Sequence, residues 1–223
     1  RLRQKGRRTG ICALFYGGPG VGKTETIRQI AKATGRDIFM VDMALKSKWI
    51  GESEKNLKQV FKTYKRLVRE SEAAPILLFN EADAIFGKRL VEETSAEKLN
   101  NALQNIILQE MEDLEGILIA TTNMTESLDP AFERRFLYKV LFKKPTTGVK
   151  AKIWKSMIDD ITDSDAESLA AEYSFTGGQI ENITRKLDVD YILFGTSPDM
   201  DKIHNLCKSE GIHKENVRKT IGF

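Results

Sequence analysis

The sequence predicts an α/β protein, with a parallel five-stranded sheet sandwiched by helices and a smaller all-helical domain after it. Three observations carry this prediction. Five short apolar runs alternate with amphipathic helical patterns, the mark of a largely parallel sheet covered on both faces. The first run leads straight into a glycine-rich loop that opens a helix. After Lys143-Lys144-Pro145 only helical periodicity remains, which sets a domain boundary near 145, with domains at 1–145 and 146–223.

The first strand is Ile11–Tyr16, ICALFY, and a helix over Thr26–Thr34 ends at Gly35. The second strand is Ile38–Asp42. A loop from Met43 to Gly51 follows, then a helix over Ser53–Arg69 whose apolar positions Leu57, Val60, Phe61, Tyr64, Leu67 and Val68 repeat near 3.6 residues. Pro75 separates it from the third strand, Ile76–Phe79. A charged loop, Gly87–Thr94, precedes a helix over Ala96–Asp113. The fourth strand is Ile117–Thr121, Asp129-Pro130 starts a short helix, and the fifth strand is Tyr138–Phe142. The second domain holds one helix with Val149, Ile153, Trp154, Met157 and Ile158. A short helix follows a capping box at Ser164–Glu167. A long helix over Gly178–Phe194 turns Ile180, Ile183, Leu187, Tyr191 and Phe194 inward, and a last one covers Asp201–Ser209.

Composition narrows the function classes. The 223 residues are 41% hydrophobic and 30% charged, with a formal net charge of +3, too small to imply nucleic acid by itself. The one basic concentration, Arg1, Arg3, Lys5, Arg7 and Arg8, reads as a solvated linker, with a phosphate-contacting arm as the alternative. Cys12 and Cys207 form no metal or redox spacing, which suits a reduced, cytoplasmic chain. His204 and His213 lack a second ligand nearby. No apolar run reaches membrane-spanning length, so no membrane partner is expected. The chain begins with Arg rather than Met and reads as a piece of a longer protein.

The chemistry centres on Gly17-Gly18-Pro19-Gly20-Val21-Gly22-Lys23-Thr24, which matches the phosphate-loop pattern of two fixed glycines followed by Lys and Ser or Thr. The glycines let backbone N–H groups turn toward phosphate oxygens, the helix that follows adds a favourable dipole, and Glu25 joins the candidate nucleotide-binding residues. Lys23 neutralises β- and γ-phosphates in this reading, and the Thr24 hydroxyl binds Mg²⁺. The third strand ends in Asn80-Glu81-Ala82-Asp83. In an open α/β sheet ligands sit at the carboxyl ends of strands, so a carboxylate here faces the phosphate loop. Glu81 is the candidate base for an in-line water. Asp83 has two open readings, support of the site or a cap on the following turn.

Together these segments resemble an AAA+ ATPase core, most closely the protein-remodelling AAA subgroup of the phosphate-loop NTPases. The resemblance rests on GGPGVGKT at Gly17–Thr24, KWIGESEKNLKQVF at Lys48–Phe61, ILLFNEAD at Ile76–Asp83, GILIATTN at Gly116–Asn123 and LDPAFERRF at Leu128–Phe136, in the family's order. It implies ATP and Mg²⁺ as ligands and Glu81 as the catalytic glutamate. Asn123 corresponds to the sensor residue that holds the attacking water or a γ-phosphate oxygen. Arg134 and Arg135 stand where the family carries arginine fingers that complete a neighbour's site. The implied partner is the chain itself, in a hexameric ring, acting on a polypeptide gripped by Trp49 in the central pore. A Trp folded back on its own domain is the alternative for that residue. Gly177-Gly178 resembles the region where small residues let lid backbone approach the nucleotide, so Gly178 joins the binding set; no Arg occupies that place, and Arg185 is a weak substitute.

One residue departs from the pattern. Asn80 stands where the family has an aspartate that helps hold Mg²⁺ through water. Its amide oxygen still accepts a hydrogen bond from a metal-bound water but lacks the charge. The expectation is hydrolysis, since Glu81, Asn123 and the arginine pair are all present. A slowly hydrolysing nucleotide switch and a nucleic-acid-associated relative are the alternatives.

Overall fold

The computed structural model describes residues 9–42, 53–87, 95–123, 128–195 and 199–211. The basic residues of 1–8 and the loop with Lys46, Lys48 and Trp49 lie outside them. The chain divides into two compact units. One comprises Lys23–Phe142 with the chain up to Gly18; the other comprises Lys143–Phe223 together with Pro19–Gly22, the tip of the glycine loop.

The first unit is an α/β layer structure. Its five strands are β1 (Ile11–Gly17), β2 (Ile38–Asp42), β3 (Ile76–Asn80), β4 (Ile117–Thr122) and β5 (Tyr138–Phe142). They form one parallel sheet in the order β2-β3-β4-β1-β5. Its helices are α1 (Lys23–Thr34), α2 (Ser53–Glu70), α3 (Asp83–Phe86), α4 (Ser95–Glu112) and α5 (Pro130–Glu133).

Strand periodicity decides which residue meets which layer. Ala13, Phe15, Ile76, Leu78 and Ile119 face Ile27 and Ala31 of α1. Their neighbours Cys12, Leu14, Leu77, Phe79, Leu118 and Ala120 face the opposite layer, built from Leu57, Phe61 and Tyr64 of α2 and Leu103, Ile107, Leu108 and Met111 of α4. The central strands are buried on both faces, which is why they read as unbroken apolar runs rather than alternating ones. Tyr64 adds a polar tie inside this core. Its hydroxyl accepts from the Ile117 N–H at 2.7 Å and lies 2.9 Å from the Pro75 carbonyl and 3.0 Å from that of Ile117. It thereby pins the starts of β3 and β4. Burial pushes the Tyr64 phenol up to about 12.

The second unit is helical: α6 (Thr147–Met157), α7 (Asp163–Glu172), α8 (Gly177–Phe194) and α9 (Met200–Gly211). Trp154, Leu169, Ile180, Ile183 and Cys207 form its core. Lys150 is buried yet satisfied, its ammonium donating to the Tyr173 carbonyl at 2.7 Å.

Two sequence expectations are corrected, and one helix is added. The short helix α7 is capped by Thr162, whose hydroxyl accepts from the Asp165 N–H, and not by a box starting at Ser164. Thr162 starts the helix because it is the residue with extended backbone, whereas Ser164 is already inside the first turn. On α8, Tyr191 and Phe194 are 55% and 70% exposed, so the inward face stops at Leu187. The helix outruns the core it packs on, and periodicity alone does not register where a neighbour ends. Helix α3 was not expected; a single turn leaves too few residues for a period to show.

Candidate functional site

Strand β1 ends on Gly17, which only glycine suits. Its φ is 144°, and a Cβ there would lie 2.2 Å from the Phe142 carbonyl oxygen of β5. This close approach turns the chain off the sheet and into the loop Gly18–Gly22, after which α1 starts at Lys23. Gly18, Pro19 and Gly20 are exposed, while Val21 and Gly22 are half-buried. Gly178, in the first turn of α8, donates its N–H to the Gly20 carbonyl at 3.0 Å; both belong to the second unit. That helix is capped by a reciprocal box, Thr176 with Gln179. Glu25 lies on the exposed side of α1, accepting from Gln29 at 2.6 Å.

Lys23 is buried, with 8% of its surface exposed. Its ammonium donates to the carbonyls of Gly17 at 2.7 Å and Gly18 at 2.8 Å and to Asn123 Oδ1 at 2.9 Å. Three acceptors match the three protons of an ammonium. Burial lowers its pKa, and the charges of Asp83 and Glu81 act against that loss. Thr24 donates its hydroxyl to Asn80 Oδ1 at 3.0 Å, and Thr121 of β4 donates to the same oxygen at 3.1 Å. Two hydroxyls therefore converge on one end of the Asn80 amide.

Glu81 follows directly. It is the one non-glycine residue with positive φ among the described residues, at 53°. A left-handed backbone at a glutamate is uncommon and costs energy, and such residues concentrate at functional sites. The conformation is held by its N–H donating to Thr121 Oγ1 at 3.0 Å and by the next N–H, that of Ala82, donating to the Thr121 carbonyl at 2.9 Å. The Glu81 residue is exposed. Asp83 turns its carboxylate to the end of β4, accepting from the Thr122 hydroxyl and from the Asn123 N–H at 2.8 Å.

Lys23, Thr24, Asn80 and Asn123 are thus brought together at one end of the sheet, beside Glu81. Arg134 and Arg135 are positioned elsewhere, by a different device. Asp129 accepts from the Ala131 N–H at 2.7 Å to start α5, and Pro130 suits the first helical position. Phe132 and Phe136 then bury against Phe86 at ring distances of 4.7 and 5.5 Å. Between these anchors Arg134 is exposed, whereas Arg135 is ion-paired with Glu112 of α4 and donates to the Ala131 carbonyl at 2.9 Å.

Sequence reasoning missed Thr121 and Thr122. The available signal was two hydroxyls in a row at the carboxyl end of a buried strand, where each is only 2% exposed. Among the described residues no group of three or more His, Cys, Asp or Glu could hold a metal by itself. A hard cation held here would rest on oxygen donors. Thr24 fits that role, because its proton goes to Asn80 and its lone pairs remain available. No described helix is long and apolar enough to cross a membrane.

Comparison with known proteins identifies the family. Residues 13–144 match the model of the "ATPase family associated with various cellular activities (AAA)". The chain is 28% identical over 221 residues to "ATPase family gene 2 protein homolog B" of Bos taurus, covering 94% of this chain and 29% of that protein. It is 29% identical over 219 residues to "Protein CdcH" of Halobacterium salinarum, covering 93% and 28%. It is 30% identical over 184 residues to "Vacuolar protein sorting-associated protein 4B" of Mus musculus, covering 77% and 40%. The chain therefore spans less than half the length of each of these relatives. The family match extends over more than half of the chain and includes the glycine loop, both polar strand ends and the arginine pair: the chain belongs to the AAA family of ATPases.

Proposed function

We propose that this chain binds ATP with Mg²⁺ and hydrolyses it to ADP and phosphate at a site completed by a neighbouring copy in a ring, a hexamer. The observation that carries the proposal is the convergence of Lys23, Thr24, Asn80 and Asn123 beside the strained backbone of Glu81.

In this reading the backbone of Gly18–Gly22 and the start of α1 receive the phosphates, and Lys23 swings from the Gly17 and Gly18 carbonyls to phosphate oxygens. Thr24 would hold Mg²⁺ with Asn80 behind it through water, and the bound ion supplies charge neutralisation on the β- and γ-phosphates. Glu81 accepts a proton from water as its oxygen bonds to the γ-phosphorus. The bond to the bridging oxygen breaks, and its electron pair leaves with ADP. Asn123 orients the water. Arg134, exposed and without the ion pair that holds Arg135, is the better finger for a neighbour's transition state.

The work done by this cycle is remodelling of a polypeptide, with Trp49 as the residue that would grip it and Gly178 as the close approach of the helical unit. The buried thiols of Cys12 and Cys207 suit a reducing compartment, and we assign the protein to the cytoplasm on that ground.

Glu81→Gln tests the reading. ATP should stay bound while turnover falls about 10²–10⁴-fold, the range for loss of a general base. Turnover at the wild-type rate would remove Glu81 from that role. Asn80 favours a second reading, a nucleotide-gated binding module with slow turnover, because a neutral amide replaces a charge beside the cation.

A further inference from the structure

We propose that Asp83 is a positioning residue for Asn123, fixing its amide so that the oxygen, not the nitrogen, faces the reacting phosphate. Asp83 stands at the first residue of α3, just past the β3 turn, and its carboxylate reaches the end of β4. One oxygen accepts both from the Thr122 hydroxyl and, at 2.8 Å, from the Asn123 N–H. The other lies 3.5 Å from Asn123 Nδ2. On its far side, Asn123 offers Oδ1 to the Lys23 ammonium at 2.9 Å. The relay runs carboxylate, amide N–H, amide oxygen, ammonium.

Each contact favours the same amide orientation. A flipped amide would set oxygen against carboxylate at an exposed contact and N–H against ammonium at a partly buried one. With the nitrogen turned to Asp83, Asn123 presents its amide oxygen to Lys23. That oxygen can accept a hydrogen bond from an attacking water, whose proton goes to Glu81 in the proposed reaction. The same carboxylate supplies negative charge near Lys23, favouring its ammonium form against burial. Three donors, on the last residue of β4 and the one beyond it, converge on this carboxylate.

The kinetic consequence rests on the proposed ATPase reading; the orientation itself does not. The test therefore has two arms on the full chain. The first follows the Asn123 side-chain NH₂ signals by nitrogen-15 NMR without nucleotide, in wild type and in Asp83→Asn. The charge-assisted contact should give two well-separated amide protons that converge or broaden in the variant. Signals unchanged by the substitution overturn the proposal whatever the enzyme does. The second arm measures turnover and ATP affinity. Asp83→Asn should lower kcat about ten- to a hundredfold with ATP affinity changed less than about threefold, and Asp83→Asn with Asn123→Ala should be no slower than Asn123→Ala alone. Effects that multiply overturn the positioning role. Thr122→Val, which removes one donor and keeps the carboxylate, should leave the NMR signature in place, and its loss there would assign the signature to the strand end instead. If wild type itself shows no turnover, the ATPase reading fails while the NMR arm still decides the orientation.

Discussion

Lys23 Nζ and Asn123 Oδ1 lie 2.9 Å apart, joining the first residue of α1 to the residue just beyond β4, 100 positions later. The pair makes the phosphate loop and the end of the fourth strand one polar unit. Replacing Asn123 with Ala removes one of three acceptors from a buried ammonium and, in the proposed reaction, the group that orients water. The expected result is a fall in kcat of about 10–10³-fold, the scale of losing one preorganised polar group, with ATP affinity nearly kept. Single-turnover kinetics with separately measured ATP binding checks this. A pure loss of affinity would contradict it.

Asn80 should respond to restoration of its charge. Asn80→Asp keeps the acceptor used by Thr24 and Thr121 and adds a formal charge beside the cation position. The Mg²⁺ concentration giving half-maximal turnover should drop about tenfold, equivalent to about 1.4 kcal/mol. A magnesium titration at saturating ATP reads it. An unchanged midpoint would mean that this side chain does not sense the ion.

The two neighbouring arginines should separate cleanly. Arg135→Ala breaks the contacts to Glu112 and Ala131 and should cost about 0.5–1.5 kcal/mol of stability in urea unfolding, the range for a half-exposed, hydrogen-bonded pair. Arg134→Ala, at an exposed position, should leave the unfolding midpoint in place. In the assembled state it should lower turnover about 10³-fold or more, the scale of losing an arginine finger. The reverse assignment of the two phenotypes would exchange their roles.

Tyr64 predicts an alkaline limit to stability. Its phenol titrates at about 12 in the folded protein, above the ordinary value of 10.0, because burial disfavours the phenolate. Below pH 10 this contribution is fully present. Above it the unfolded chain loses the proton first, so stability falls as pH rises from 10 toward 12. Tyr64→Phe should flatten that fall. It should also cost about 1–2 kcal/mol near neutral pH by leaving the Ile117 N–H and Pro75 carbonyl without this partner. Denaturant unfolding at a series of pH values measures both effects, and an identical alkaline slope in the variant would assign it to other groups.

Much of this architecture was legible in the sequence, for identifiable reasons. The five strands are short apolar runs bounded by turn residues, and β2 and β5 fall where those runs stop. Helix α2 announces itself because Leu57, Phe61 and Tyr64 repeat at the period of one buried face. The glycine loop carries its chemistry in its spacing. Other features depend on contacts between distant segments. The positive φ of Glu81 follows from what Thr121, 40 residues later, does with its hydroxyl and carbonyl. The difference between Arg134 and Arg135 follows from Glu112 on another helix. Tyr191 and Phe194 keep the period of α8 but are exposed, beyond the last buried position at Leu187.

The central claim is that this chain hydrolyses ATP at a site that a neighbour completes. ATP turnover per subunit, measured across protein concentrations together with assembly state, tests it most directly. The expected result is a low rate for the monomer that rises in step with assembly and falls about 10²–10⁴-fold in Glu81→Gln. A rate independent of assembly, or tight ATP binding without turnover in every assembled state, would contradict it.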